Sequence, residues 1–156
     1  MEALRWHLRP ATVQDEEFLR TLFAQTDVML QGFPRELQTA LLDMQYRGRE
    51  MTYSTQYPQA MNFMICLEDG TPVGRHLVER KSSAFRGIDL AILPQWQGRG
   101  IGTRVLEDLA RESRHAGAEL SLRVVKGNPA LRLYLRLGFE IAAADEVAYE
   151  MVWKEK

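Results

Sequence analysis

Three glycines at alternate positions, Gly98, Gly100 and Gly102, follow an apolar run and a proline, and this stretch constrains the fold more than any other. Ile88, Leu90, Ala91, Ile92 and Leu93 have the length and character of a buried strand. Pro94 stops it, because its nitrogen has no hydrogen to give a ladder. Beyond the glycines an amphipathic helix begins, with Ile101, Val105, Leu106 and Leu109 on one face and Arg104, Glu107, Asp108, Arg111 and Glu112 on the other. The first turn of a helix has amides with no intrahelical acceptor, and the peptide dipoles add about half a positive charge there. Glycines let an anion come close to that backbone, and Arg99 and Arg104 add charge nearby. The turn is therefore expected to bind a phosphorylated ligand, against the plainer alternative of a tight turn and nothing more.

Two familiar phosphate loops do not fit. A P-loop needs Lys-Ser/Thr after its last glycine, where this chain has Thr103-Arg104, and the dinucleotide fingerprint needs its third glycine one position later than Gly102. The stretch instead resembles the acyl-CoA signature of the GCN5-related N-acetyltransferases (GNAT), Gln/Arg-x-x-Gly-x-Gly/Ala, here Gln97-Gly98-Arg99-Gly100-Ile101-Gly102. The resemblance implies that amides from Gln97 through Thr103 cradle the coenzyme A pyrophosphate, and that backbone groups of Ile92 and Leu93 pair with the pantetheine arm.

A chain of 156 residues, 46% hydrophobic and 26% charged, suits one soluble domain with a core of its own, here residues 1–156. The formal charge of −1 gives no bulk attraction to nucleic acid or to an anionic membrane. No apolar stretch approaches the ~20 residues a bilayer span needs, and the N-terminus lacks the charged and apolar regions of a signal peptide. Cys66 is the only cysteine, so an internal disulfide is impossible. A cytoplasmic protein is the expectation.

Along the chain, Leu4, Trp6 and Leu8 alternate with Arg5 and His7 as a first strand would. Thr12 precedes Asp15, Glu16 and Glu17, acids at the start of a helix carrying Phe18, Leu19, Leu22 and Phe23. Gly32 and Pro34 break the chain, and a second helix follows from about Arg35, with Leu37, Leu41, Leu42 and Met44 as its buried side. From Gln45 the pattern blurs into Tyr46, Arg47, Arg49, Glu50, Tyr53 and Tyr57, which reads either as a fraying helix or as a binding wall. Strands are expected at Met61–Leu67, Val73–Arg80 and Phe85–Leu93, with a turn at Glu68–Pro72. After the Gly-turn helix, which Ala116-Gly117 ends, Leu120, Leu122 and Val124 alternate as a strand. Asn128, Pro129 and Gly138 frame a short helix, and strands near Phe139–Ala142 and Val147–Trp153 complete the chain. The order β-α-α-β-β-β-α-β-α-β-β describes an α/β (α+β) fold with a mixed, largely antiparallel central sheet flanked by helices.

A second stretch also resembles the GNAT family, whose later helix reads Asn-x-x-Ala-x-x-x-Tyr-x-x-x-Gly-Phe or a close variant. Asn128, Ala130, Tyr134, Gly138 and Phe139 stand in that style, with Asn128 26 positions after Gly102. The resemblance implies direct acyl transfer in a ternary complex, from acetyl-CoA to an amine. It makes Tyr134 the general acid facing the sulfur, adds Asn128 and Ala130 to the cofactor contacts, and makes the Ile92 N–H the donor to the thioester oxygen. An alkyl amine with a pKa near 10 must lose a proton before attack, and a phenol stays protonated at neutral pH and can supply one to the leaving thiolate.

The base is where the chain departs from the family. Many members carry a glutamate about eleven residues before the motif glutamine, and counting back from Gln97 reaches Arg86. Asp89, a carboxylate on an apolar strand, is the leading candidate as base or acceptor ligand, against a structural role for the same residue; Glu79, His76 and ordered water are the others. A bulge in the strand would re-aim Asp89. His7 and His115 read as surface residues, and no spaced Cys/His cluster suggests a metal. The sequence thus points to an N-acetyltransferase acting on a primary amine of a small molecule or peptide, with a non-catalytic acyl-CoA-binding module as the alternative. The acceptor is expected around Met29 to Tyr57, where Arg35, Arg47 and Arg49 outnumber Asp43 and Glu50 and favour an acceptor with its own carboxylate or phosphate. Homodimers are common in the family, and the sequence leaves that question open.

Overall fold

The computed structural model describes residues 4–26 and 33–154. Its strands are β1 (Trp6–Pro10), β2 (Met61–Leu67), β3 (Pro72–Arg80), β4 (Ala84–Ile92), β5 (Glu119–Val125), β6 (Phe139–Ala144) and β7 (Ala148–Trp153); its helices are α1 (Glu16–Thr26), α2 (Arg35–Gln56), α3 (Ile101–His115) and α4 (Ala130–Leu137). The strands hydrogen-bond in the order β1-β2-β3-β4-β5-β7-β6. β1–β2, β5–β7 and β6–β7 pair antiparallel, and β4–β5 pair in parallel, from Ala84 opposite Glu119 to Gly87 opposite Leu122. The expected element order and mixed sheet are therefore present. Met29 and the break at Gly32 lie outside the described residues. Among the described residues no helix is long and apolar enough to cross a membrane.

The chain packs as two compact units, residues 1–77 with 89–99, and residues 78–88 with 100–156. In the first, Leu19, Phe23, Tyr46, Met64 and Cys66 form a core between α1, α2 and β2. The rings of Phe23 and Tyr46 meet edge-on at 5.7 Å. In that unit β3 and β4 approach each other closely at Gly74, where a Cβ would lie 2.5 Å from the Ala91 carbonyl oxygen. In the second unit, Ile101, Val105, Leu106, Leu109 and Ala110 are the buried face of α3, and Leu120, Leu122 and Val124 the buried face of β5, as their spacing requires. α3 stops where expected: the Ala116 amide donates to the Glu112 carbonyl and the Ala118 amide to the Ser113 carbonyl, with Gly117 left-handed between them.

Three expectations shift. β1 starts at Trp6, not Leu4, because its ladder runs from Trp6 opposite Leu67 to Pro10 opposite Phe63; Leu4 and Leu8 are exposed. α2 does not fray at Gln45 and continues to Gln56. Leu37 and Met44, expected on its buried side, are 46% and 65% exposed, and Tyr46 is its fully buried residue. The inward stripe of α2 runs through polar-headed side chains, so an apolar count misplaces it.

The entry to α1 is tied down by one carboxylate. Asp15 accepts two hydrogen bonds from the Arg9 guanidinium (2.8 and 2.9 Å) and one from the Thr12 amide (2.8 Å), closing a capping box with Thr12. Arg9 is the main cause that holds the Asp15 carboxyl down at about 2. A lowered folded pKa stabilises the protein above the unfolded value, and that contribution is lost as pH falls towards 2. Asp15→Asn is expected to cost about 1–2 kcal/mol at pH 7, and its gap from the parent in thermal melts should close as the pH is taken from 5 to 2.5.

Candidate active site

The turn between β4 and α3 is built from backbone. The Leu93 amide donates to the Val73 carbonyl (2.8 Å), and the Leu93 carbonyl accepts from the Trp96 amide (2.9 Å). Both backbone groups of Leu93 are thus in use, and strand alternation turns the Ile92 N–H to the edge away from β3. Gln97 reaches back, its side-chain amide donating to the Ile92 carbonyl (2.8 Å), so the turn is tied to the strand end. Gly98 (φ 76°) and Gly100 (φ 86°) are left-handed, and nothing lies within 4 Å of a Cβ built on either, so it is the dihedral that demands glycine. Gly100 is the N-cap of α3, and among the described residues no side chain caps this helix. The amides of Ile101, Gly102 and Thr103 therefore meet no intrahelical acceptor and, among the described residues, no side-chain acceptor, as an anion cradle requires. Arg99 lies over the Trp96 ring at 4.5 Å, holding its charge at the turn, whereas Arg104 pairs with Asp108 on the exposed side of α3. This backbone suits a diphosphate.

In the second unit, the Asn128 side chain accepts from the Ala130 amide (2.9 Å) and its carbonyl from the Leu131 amide (3.1 Å), so Asn128 starts α4 although helical assignment begins at Ala130. Gly138 ends the helix in a left-handed conformation. Tyr134 is half-buried, its ring edge-on to Phe139 at 5.9 Å. Arg86, eleven positions before Gln97, is ion-paired with Glu150 of β7 and donates to the Ser121 hydroxyl (3.2 Å).

Asp89 belongs to a half-buried charged cluster of the first unit whose buried centre the sequence did not single out, Arg75 on β3. Arg75 is 3% exposed. Its guanidinium donates twice to Glu50 of α2 (2.7 and 2.8 Å), once to the Asn62 side chain (2.8 Å), and at 3.4 Å to Asp89. Arg49, on the adjacent position of α2, comes only to 3.6 Å from Glu50 and 3.6 Å from Asp89. Its guanidinium instead lies 4.4 Å from the Phe23 ring centre and 5.5 Å from that of Tyr53. Burial pushes the Tyr53 phenol up to about 12, and the Asp89 charge adds to the shift. The one signal for Arg75 is a charge in a strand that also carries Val73, Leu77 and Val78, where a buried charge demands a partner. His76 and Glu79, the other base candidates, are buried on β3, Glu79 with Lys81 at 3.6 Å. His7 and His115 are exposed. Among the described residues no group of three or more His, Cys, Asp or Glu could hold a metal ion.

Residues 59–141 match the family described as the acetyltransferase (GNAT) domain, more than half of the chain, and the chain belongs to that family. No curated protein matches it. Among solved structures it is similar to the PaiA N-acetyltransferase of Thermoplasma acidophilum in complex with coenzyme A, at 16% identity and a TM-score of 0.74, over 97% of this chain and 100% of that one. It is similar also to an acetyltransferase of Thermus thermophilus (21% identity, TM-score 0.69, 97% and 98% covered). A third is a GNAT family acetyltransferase of Elizabethkingia anophelis with acetyl-CoA bound (13% identity, TM-score 0.63, 97% and 99% covered). At these identities the likeness establishes the fold.

The cluster's two arginines should differ sharply in their structural weight. Arg75→Met strands Glu50 and Asp89 beside each other and is expected to cost about 3 kcal/mol. Arg49→Met removes only ring contacts and long-range attraction, about 1 kcal/mol. Urea unfolding of the two variants measures the difference.

Proposed function

We propose that the chain acts as one acyltransferase domain, an acetyl-CoA-dependent N-acetyltransferase moving an acetyl group to a primary amine of a small molecule or peptide by direct transfer in a ternary complex. The observation that carries this reading is the uncapped N-terminus of α3 behind two left-handed glycines, in a chain of the GNAT family that also holds the Asn128–Phe139 stretch.

Acetyl-CoA supplies the activated acyl carbon of a thioester. The amides of Gly98 through Thr103 bind its diphosphate, Gln97 holds the turn against the strand end, and Arg99 adds positive charge. The Ile92 N–H donates to the thioester oxygen, a role favoured by the commitment of Leu93 to Val73 and Trp96. A C–N bond forms as the C–S bond breaks. Of the ammonium's three protons one goes to Asp89, directly or through water, before attack, one is lost to solvent as the amide forms and one stays on the amide nitrogen. The departing sulfur takes a proton from the Tyr134 phenol, which solvent restores. Asp89 suits that work because its contacts with cations are long, 3.4 and 3.6 Å, and leave acceptor capacity.

Thermal melts test the cofactor. Acetyl-CoA at 100 times its Kd should add about 2.7 kcal/mol of stability, while NAD and ATP add none; a shift with NAD alone overturns the reading. Gly100→Val forces a β-branched residue to a positive φ, and should abolish the acetyl-CoA shift in a protein that circular dichroism still reports as folded. Tyr134→Phe should lower kcat about 10²-fold or more with little change in acetyl-CoA binding, and an unchanged kcat removes the phenol from the chemistry.

A further inference from the structure

The geometry points to Arg49 as the anchor for an acceptor carboxylate, and so to an amino acid, with amine and carboxylate a few bonds apart, as the acceptor class. This inference rests on the acetyltransferase reading of the same site.

The two arginines of the cluster provide an internal comparison. Arg75 uses four of its five donors: Glu50 takes two at 2.7 and 2.8 Å, Asn62 a third at 2.8 Å and Asp89 a fourth at 3.4 Å. Arg49 has carboxylates on two sides, yet neither comes closer than 3.6 Å, and among the described residues it makes no hydrogen bond. Its Nε, the atom that lies 3.6 Å from Glu50 Oε2, is buried and makes no hydrogen bond. A guanidinium carries five donors in a rigid fork, and leaving them unmade in a half-buried place is costly unless something else accepts them. Here the side chain is 27% exposed, and the rings of Phe23 and Tyr53 hold the fork in place without using its donors. A planar carboxylate is the acceptor such a fork matches.

The charges around it narrow the class. Glu50 is neutralised by the two-pronged bond to Arg75. Asp89 is not: its Oδ2 accepts one bond at 3.4 Å, and its Oδ1 accepts none among the described residues. A bare carboxylate entering beside Arg49 would meet Asp89 as a like charge, and a bare ammonium entering beside Asp89 would meet Arg49. A molecule carrying both satisfies both, its carboxylate on Arg49 and its amine on Asp89. The other arginines of α2 do not compete for that role, since Arg47 pairs with Asp43 at the surface and Arg35 is exposed.

The test compares amino acids with their primary amides and their decarboxylated amines, following free thiol at saturating acetyl-CoA. At least one amino acid should exceed both of its carboxylate-free counterparts in kcat/KM by about 10- to 100-fold. Arg49→Met should bring that ratio towards one, chiefly through the KM of the amino acid, and Arg49→Lys, which keeps the charge and loses the fork, should restore only part of it. The acetyl-CoA shift in melting temperature is read on every variant and reports the cofactor site separately, so its loss in the parent protein would count against the acetyltransferase reading instead. If no amino acid outperforms its counterparts, or if Arg49→Met keeps the discrimination while retaining the acetyl-CoA shift, Arg49 is not the anchor.

Discussion

A guanidinium with almost no access to water stands beneath α2, and the first unit is arranged so that its charge is tolerable. Arg75 is affordable on β3 only because α2 reaches over it with Glu50 and β2 offers Asn62. That demand fixes the rotation of α2: with Glu50 turned to Arg75, the same face must carry Tyr46 inward and bring Arg49 and Tyr53 beside Asp89. A helix with no apolar stripe in its second half is thereby held through its charged and phenolic side chains.

The turn after β4 works by the opposite logic. Its side chains do little, and the relevant groups are peptide amides exposed by two left-handed glycines and by the lack of a cap. Gln97 adds a side-chain tie to the last carbonyl of β4, and Arg99 another within the turn, to the Gln95 carbonyl. The donors are oriented before any ligand arrives, so an anion meets them without reorganisation of the backbone.

Much of this was legible from the residues. The strand–turn–helix around Gly98 to Gly102, the second frame from Asn128 to Phe139 and the element order all carry local signals: alternation, a proline stop, glycines, a side-chain cap. What escaped was set by partners distant in sequence. The end of α2 looked blurred because its inward positions are filled by charged and phenolic groups, sensible only once Arg75 and Asp89 are in place. Leu37 and Met44 read as core because apolar residues usually are, yet the rotation imposed by Glu50 leaves them outside. Asp89 stands out as an anomaly on an apolar strand; the long contacts that distinguish it from Glu50 are set by α2 and β3, distant in sequence.

Gly74 has a reach beyond its own size. Because the Ala91 oxygen occupies the space a methyl would need, even alanine there would wedge β3 from β4, and the strand that moved would carry Asp89 at one end of the displaced segment and the Ile92 peptide at the other. The two groups to which the proposed mechanism gives the proton and the thioester oxygen would drift together, so a missing carbon atom on a neighbouring strand sets the alignment of two groups it never touches.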